Sequence, residues 1–167
     1  DVTLKSGVTT PTASSTGGAW GDYDNDGLLD IFSASVHPVE ETGGTTRDAL
    51  YRNLGDGSFE EIAVSAGVGS EEMNGQGVWF DYDTDGDLDL YVPGFYSNNV
   101  LFENKGDGTF VDSTPFGMAS EPWRAAAAVA DDFDNDGFVD LLVLAYTYYA
   151  EVEDPVPFEE LHPRDYR

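Results

Sequence analysis

Apolar and polar residues alternate in short runs along most of this chain, and the runs recur in the same order. Leu29, Ile31 and Ser33 stand two apart, as do Leu88, Leu90 and Val92, and again Val139, Leu141 and Val143. Residues two apart share one face of a strand, so each run predicts a strand with one mostly apolar side. A second kind of run lies further on. Leu50-Tyr51-Arg52-Asn53-Leu54-Gly55-Asp56-Gly57-Ser58-Phe59 matches Leu101-Phe102-Glu103-Asn104-Lys105-Gly106-Asp107-Gly108-Thr109-Phe110. Gly-Asp-Gly between two apolar-aromatic segments predicts a tight hairpin, because glycine and aspartate tolerate positive φ.

Each strand of the first kind is preceded by a polar stretch that occurs three times. Asp22-Tyr23-Asp24-Asn25-Asp26-Gly27-Leu28-Leu29-Asp30 is followed by Asp81-Tyr82-Asp83-Thr84-Asp85-Gly86-Asp87-Leu88-Asp89 and by Asp132-Phe133-Asp134-Asn135-Asp136-Gly137-Phe138-Val139-Asp140. All three read D-x-D-x-D-G-x-x-D with an aromatic ring at position two. Carboxylates at positions one, three, five and nine crowd like charges into one turn. Calcium resolves the crowding, since it takes six to eight oxygen ligands in flexible geometry. The glycine at position six permits the sharp turn. Position seven, which is Leu28, Asp87 or Phe138, can add a backbone carbonyl. The stretch is not an EF-hand, which needs a glutamate at position twelve and helices on both sides. Position twelve here is Ser33, Val92 or Val143. The loop is therefore expected inside a β-hairpin.

The spacing ties the two signatures into one unit. Leu50 precedes Asp81 by 31 positions and Leu101 precedes Asp132 by 31, whereas Asp30 to Leu50 is 20 and Asp89 to Leu101 is 12. The first unit thus carries an insertion within His37–Asp48. Each unit reads strand, acidic loop, strand, connection, strand, Gly-Asp-Gly turn, strand. Four antiparallel strands repeated at this period predict β-propeller-type blades or a similar radial array. We expect one all-β repeat domain over 1–167. Its parts are the last strand of a preceding blade at 1–8, a first blade at 17–65, a second at 76–116 and an incomplete third at 124–167. The first of these rests on the match of Asp1–Val8 to Glu61–Val68, read as a fourth strand and its exit. Tyr166-Arg167 matches Tyr51-Arg52, the opening of a third strand, and 146–163 reads as a long surface connection. Both ends fall inside a blade, and the chain starts at Asp1. This suits either a processed window from a longer repeat protein or blades completed by another chain. Three blades are fewer than the four to eight of an ordinary closed propeller, and an uncovered blade leaves a strand edge open to pairing.

Composition narrows the function. Seven Lys and Arg against 33 Asp and Glu give a net charge of −26, a surface that repels nucleic acid and anionic membranes. With 40% apolar residues the chain is nonetheless a folded domain and not an acidic tail. There is no cysteine, hence no disulfide or thiolate metal site, and no apolar run of membrane-spanning length. No Asn-x-Ser/Thr acceptor occurs, and Thr9–Thr16 is either O-glycosylated or a flexible connection. The two histidines, His37 and His162, each neighbour a proline in a connection, so a zinc or redox centre is not expected. No Ser/His/Asp arrangement can be assembled, and the carboxylates that glycoside hydrolysis would need are mostly committed to the loops. We expect no enzyme. Trp20 and Trp79 share one position two residues before a loop, where the third unit has Ala130. That recurrence points to packing between blades. Trp123 and Tyr146, Tyr148 and Tyr149 are out of phase and are either an exposed contact surface or a cover over the core.

The loop G-D-Y-D-N-D-G-x-x-D at Gly21–Asp30, followed by L-Y-R-N-x-G-D-G-x-F at Leu50–Phe59, resembles FG-GAP/VCBS-type repeats. Such repeats build the integrin α propeller and occur in secreted bacterial proteins and the cartilage acidic protein family; the pattern here is most similar to the last two. The resemblance covers nearly the whole chain outside 146–163. It implies an extracellular or cell-surface propeller module, stabilised by calcium at three sites, that serves as a binding or adhesion scaffold for a protein or carbohydrate ligand. It also implies the ligand set: Asp22, Asp24, Asp26, Leu28 and Asp30; Asp81, Asp83, Asp85, Asp87 and Asp89; Asp132, Asp134, Asp136, Phe138 and Asp140. Two other readings stay open. One is a structural subunit whose incomplete blades share strands in a filament or ring. The other is the non-catalytic scaffold of a polysaccharide-degrading enzyme. Neither nucleic-acid binding nor membrane insertion is expected.

Overall fold

The structure, a computed structural model, describes residues 6–8, 15–35, 47–95, 97–115 and 124–146. A first sheet is built in chain order from β1 (Ser15–Gly21), β2 (Asp30–Ser35), β3 (Ala49–Asn53) and β4 (Phe59–Glu61). After a helical turn, α1 (Ala63–Ala66), a second sheet repeats the order with β5 (Val78–Phe80), β6 (Asp89–Val92), β7 (Val100–Asn104) and β8 (Phe110–Asp112). A third has β9 (Arg124–Asp131) and β10 (Asp140–Tyr146). All neighbouring strands are antiparallel, so the molecule is all-β with four-stranded sheets and little helix. The acidic loops close the first hairpin of each sheet at one register: Gly21 pairs with Asp30, Phe80 with Asp89 and Asp131 with Asp140.

The sheets stack face on face, with their first strands side by side. A parallel bridge joins Gln76 to Ala127, and the Gln76 amide donates to the Ala126 carbonyl at 2.9 Å. Close approach there requires Gly75, because a Cβ on it would stand 2.5 Å from the Ala126 oxygen. Between the first and second sheets lies one core: Tyr23, Phe32, Leu50, Leu90, Phe102 and Phe110, with Ala63, Ala66 and Val68 of the exit turn. Between the second and third lies another, Phe80, Tyr91 and Leu101, against Ala128, Ala130, Leu141 and Val143.

Three sequence expectations are corrected by the structure. Strands β2 and β6 were expected to bury one side. Instead Phe32 and Ala34 are buried while Ile31 and Ser33 are half-buried, Leu29 is exposed, and β6 is buried throughout. Strand β6, with sheets on both faces, loses the inside-outside alternation, whereas β2 largely keeps it, with Phe32 rather than Ile31 turned into the core shared with the second sheet. The stretch Glu61–Val68 was read as a fourth strand and its exit. The fourth strand in fact ends at Glu61, whose Oε1 accepts from the Ala63 amide at 2.8 Å, and a single helical turn follows, closed by Gly67 at φ 86°. Ser6 and Gly7 repeat the pattern, with Ser6 helical and Gly7 at φ 76°. Tyr146, read as the start of a connection, is the last residue of β10. The expected strand in 1–5, most of the 37–48 insertion, His37, His162, Trp123, Tyr148, Tyr149, Tyr166 and Arg167 lie outside the described residues.

Candidate metal centre

Two left-handed residues bend each acidic loop. Position four has φ of 56°, 64° and 60° at Asn25, Thr84 and Asn135, and position six has 87°, 95° and 92° at Gly27, Gly86 and Gly137. Left-handed backbone is costly for most residues but accessible to Asn and free for Gly. The bends turn successive amides inward. In the first loop Asp26 N and Gly27 N donate to the two carboxylate oxygens of Asp22 at 3.0 and 2.9 Å. The third loop does the same at Asp132, at 3.1 and 3.0 Å. In the second, Gly86 N reaches Asp81 Oδ2 at 3.1 Å, while Asp81 Oδ1 is buried without a hydrogen-bond partner. Position three accepts from the amide of position five at 3.3, 3.2 and 3.1 Å. Position five accepts from that of position seven at 2.9 Å in every loop.

The carboxylates converge. One oxygen each from Asp22, Asp24 and Asp30 lie within 4.8 Å of one another; so do those of Asp81, Asp83 and Asp85, and of Asp132, Asp134 and Asp136. Asp26 stands beside the first group, with Arg52 Nη2 3.8 Å from its Oδ2. At position seven Leu28 is half-buried and Phe138 exposed. The Asp87 side chain leaves its own loop and accepts from Asn25 Nδ2 of the first loop at 2.7 Å.

Position nine behaves differently from the other carboxylates. Asp30 and Asp89 are fully buried at the root of their loops. Asp30 accepts from Tyr23 N at 3.4 Å and from Asn53 N at 2.8 Å; Asp89 accepts from Tyr82 N at 2.7 Å and Asn104 N at 2.8 Å. Asp140 keeps the first of these bonds, from Phe133 N at 3.0 Å. Burial pushes Asp30 up to about 6 and moves Asp89 in the same direction, against the lowering effect of those amides. These aspartates anchor the loop to the third strand. Asn53 and Asn104 complete the anchor and were missed as site residues. Their side-chain amides donate to Leu29 O at 3.0 Å and Leu88 O at 3.1 Å, and Asn104 also reaches Tyr23 O in the neighbouring sheet at 2.8 Å. Their recurrence beside Arg52 and Glu103 was the signal that could have found them.

This donor set is all oxygen, mostly anionic and held by a rigid backbone. With the unpartnered Asp81 oxygen it suits a hard divalent cation better than a thiophilic or imidazole-preferring one. Among the described residues no helix is long and apolar enough to cross a membrane.

The chain is 29% identical to cartilage acidic protein 1 of Homo sapiens over 153 residues, covering 81% of this chain and 22% of that protein. The Mus musculus protein is 28% identical over 152 residues, 81% of this chain and 23% of its own length. That of Xenopus tropicalis is 37% identical over 93 residues, 52% and 14%. The chain thus spans less than a quarter of the length of these relatives. A family model for the FG-GAP-like repeat matches residues 22–92 and again 81–143, so each match begins at the first aspartate of an acidic loop. The chain therefore belongs to the FG-GAP-like repeat family.

Proposed function

We propose that this chain is a calcium-stabilised arc of a β-propeller that works outside the cell as a binding or adhesion scaffold. The observation that carries the reading is the convergence of three carboxylates in each of three loops at one register of a repeated hairpin. Bound calcium supplies positive charge and oxygen coordination. The residues that would hold it are Asp22, Asp24, Asp26 and Asp30, Asp81, Asp83, Asp85 and Asp89, and Asp132, Asp134, Asp136 and Asp140, with carbonyls at Leu28, Asp87 and Phe138. The protein's own part is to keep these oxygens converged through inward amides and buried position-nine anchors, so that little ordering remains to be done on binding. The similarity to cartilage acidic protein 1 and the strongly acidic surface support an extracellular role. In this reading the module binds a protein or carbohydrate partner and does not catalyse.

A melting experiment on the full chain tests the calcium reading. At ten times its dissociation constant each ion adds about 1.4 kcal/mol, so three sites add about 4 kcal/mol. For a domain of this size that raises the melting temperature by roughly 10 °C. Identical melting curves in millimolar calcium and in EDTA would sink the reading.

A second reading, a subunit that joins neighbouring copies, is favoured by one observation. Leu142 and Leu144 of β10 are exposed at the positions where Phe32 and Ala34 of β2 are buried by the following sheet. Light scattering on the intact chain separates the two readings: a monomer at all calcium concentrations argues against the subunit.

A further inference from the structure

We propose that Arg52 is a tethered competitor for the cation of the first loop and ranks that loop below the second in calcium affinity. The inference rests on the reading that these loops bind calcium. Arg52 lies on β3, next to the loop that β1 and β2 enclose. Its Nε stands 2.8 Å from Asp24 Oδ2 and its Nη2 3.8 Å from Asp26 Oδ2. Both carboxylates belong to the candidate ligand set. In the second sheet the same place, between Phe102 and Asn104, is taken by Glu103, which pairs with Lys105 Nζ at 2.6 Å and Ser113 Oγ. The first loop therefore has a guanidinium in direct contact with two of its carboxylates, whereas beside the second the Glu103 carboxylate is paired with the Lys105 ammonium, which is held off the loop by that bond.

The two loops also differ in shape, at the place the guanidinium reaches. Asp81, Asp83 and Asp85 converge through positions one, three and five. In the first loop position five drops out of the tight group and position nine takes its place, with Asp26 left beside Arg52. A cation entering the first loop has to displace the guanidinium from Asp24 and then bind beside a unit positive charge. Arginine does not deprotonate at accessible pH, so the competition does not titrate away. In a water-like dielectric a unit charge about 6 Å away weakens binding of a divalent ion about tenfold, and screening at physiological salt reduces this to about threefold. Affinity in oxygen-ligand loops is set largely by ligand charge, so loss or gain of one charge is expected to show.

Site-resolved titration tests this. Gly27 N and Gly86 N each donate to the position-one carboxylate of their own loop, so their amide resonances report the two loops separately. Calcium is added to the 15N-labelled 167-residue chain and to Arg52→Gln and Arg52→Lys variants. Arg52 is a surface side chain, so neither substitution threatens the fold. In the parent, Gly86 should reach half-saturation at a calcium concentration at least threefold below that for Gly27. R52Q should lower the Gly27 midpoint three- to tenfold and leave Gly86 unmoved, while R52K should stay near the parent. A parent in which Gly27 responds with or before Gly86, or an R52Q midpoint unchanged at Gly27, overturns the role of Arg52 and leaves the calcium reading standing. No calcium response at either glycine overturns both.

Discussion

Asp48, outside the loops, shows how far one residue's surroundings can govern the response to pH. It precedes β3, is 1% exposed, and accepts from Ser35 N at 2.8 Å and Asn74 Nδ2 at 2.6 Å. Those bonds tie the start of β3 to the end of β2 and to the segment leading into the second sheet. Burial pushes its carboxyl up to about 7, outweighing both hydrogen bonds. The folded value is then above the unfolded one, so the folded state binds the extra proton between about pH 4 and 7. Stability from this group is fully present below pH 4 and is lost as pH rises to 7, by up to about 4 kcal/mol. We expect the denaturation free energy of the parent to fall faster over this range than that of Asp48→Asn, the difference in slope measuring Asp48. Parallel pH profiles would refute the assignment. In the sequence Asp48 was merely the end of an insertion, because nothing local separates a buried aspartate from a solvated one. The same limit applied to Asp30 and Asp89. Their place in the motif was legible, but their buried anchoring depends on Asn53 and Asn104, more than a dozen residues away.

Among the elements, the hairpins were legible because glycine and aspartate patterns specify them locally, and the exit turn was not. Glu61-Ile62-Ala63-Val64 alternates as a strand does, and four residues are too few for a helix to form on its own. The turn exists because Ala63, Ala66 and Val68 enter the core between the first two sheets, and Gly67 ends it. A Cβ on Gly67 would stand 2.9 Å from the Phe110 oxygen, just as one on Gly7 would stand 2.5 Å from that of Phe59. Each exit turn thus packs on the last strand of the following sheet, a contact made across sheets and hidden from local pattern. Gly57 offers the control, with φ of 87° like the 86° of Gly67, but open space around its Cα. Gly57→Ala should cost only the left-handed penalty, roughly 1–2 kcal/mol. Gly67→Ala should cost that plus the clash, roughly 2–4 kcal/mol in all. Equal losses in urea denaturation would show that the contact with β8 carries no weight.

Across the whole molecule, the two seams between sheets solve one packing problem in opposite ways. In the first, the Trp79 ring stacks on Tyr23 with centroids 6.1 Å apart, meets Phe32 edge-on, and donates its Nε1–H to Ala19 O at 3.3 Å. The large indole fits because the residue beneath it is Gly21, where a Cβ would stand 2.8 Å from the ring. In the second seam the partners exchange sizes: Ala130 replaces the tryptophan, and Phe80 replaces the glycine and heads its own core. Large against small in one seam and small against large in the other keeps interior packing density constant. The exchange also accounts for Tyr82, 43% exposed where Tyr23 is 2%, because no indole covers it. The recurrence of Trp20 and Trp79 predicts packing between units, and Trp79 does pack between the first two sheets. The compensation at Gly21 and Phe80 was not legible in the sequence, since it relates residues about sixty apart. Trp20, with no preceding sheet among the described residues, is 61% exposed. Trp20→Ala should therefore cost less than about 0.5 kcal/mol and Trp79→Ala about 3 kcal/mol or more. Gly21→Ala should cost about 1–3 kcal/mol alone by overpacking, yet little in the Trp79→Ala background, where the methyl finds room. If the seam is held by this complementarity, the double-mutant cycle must show strong coupling. Additive losses at Gly21 and Trp79 would mean that the sheets are held together elsewhere.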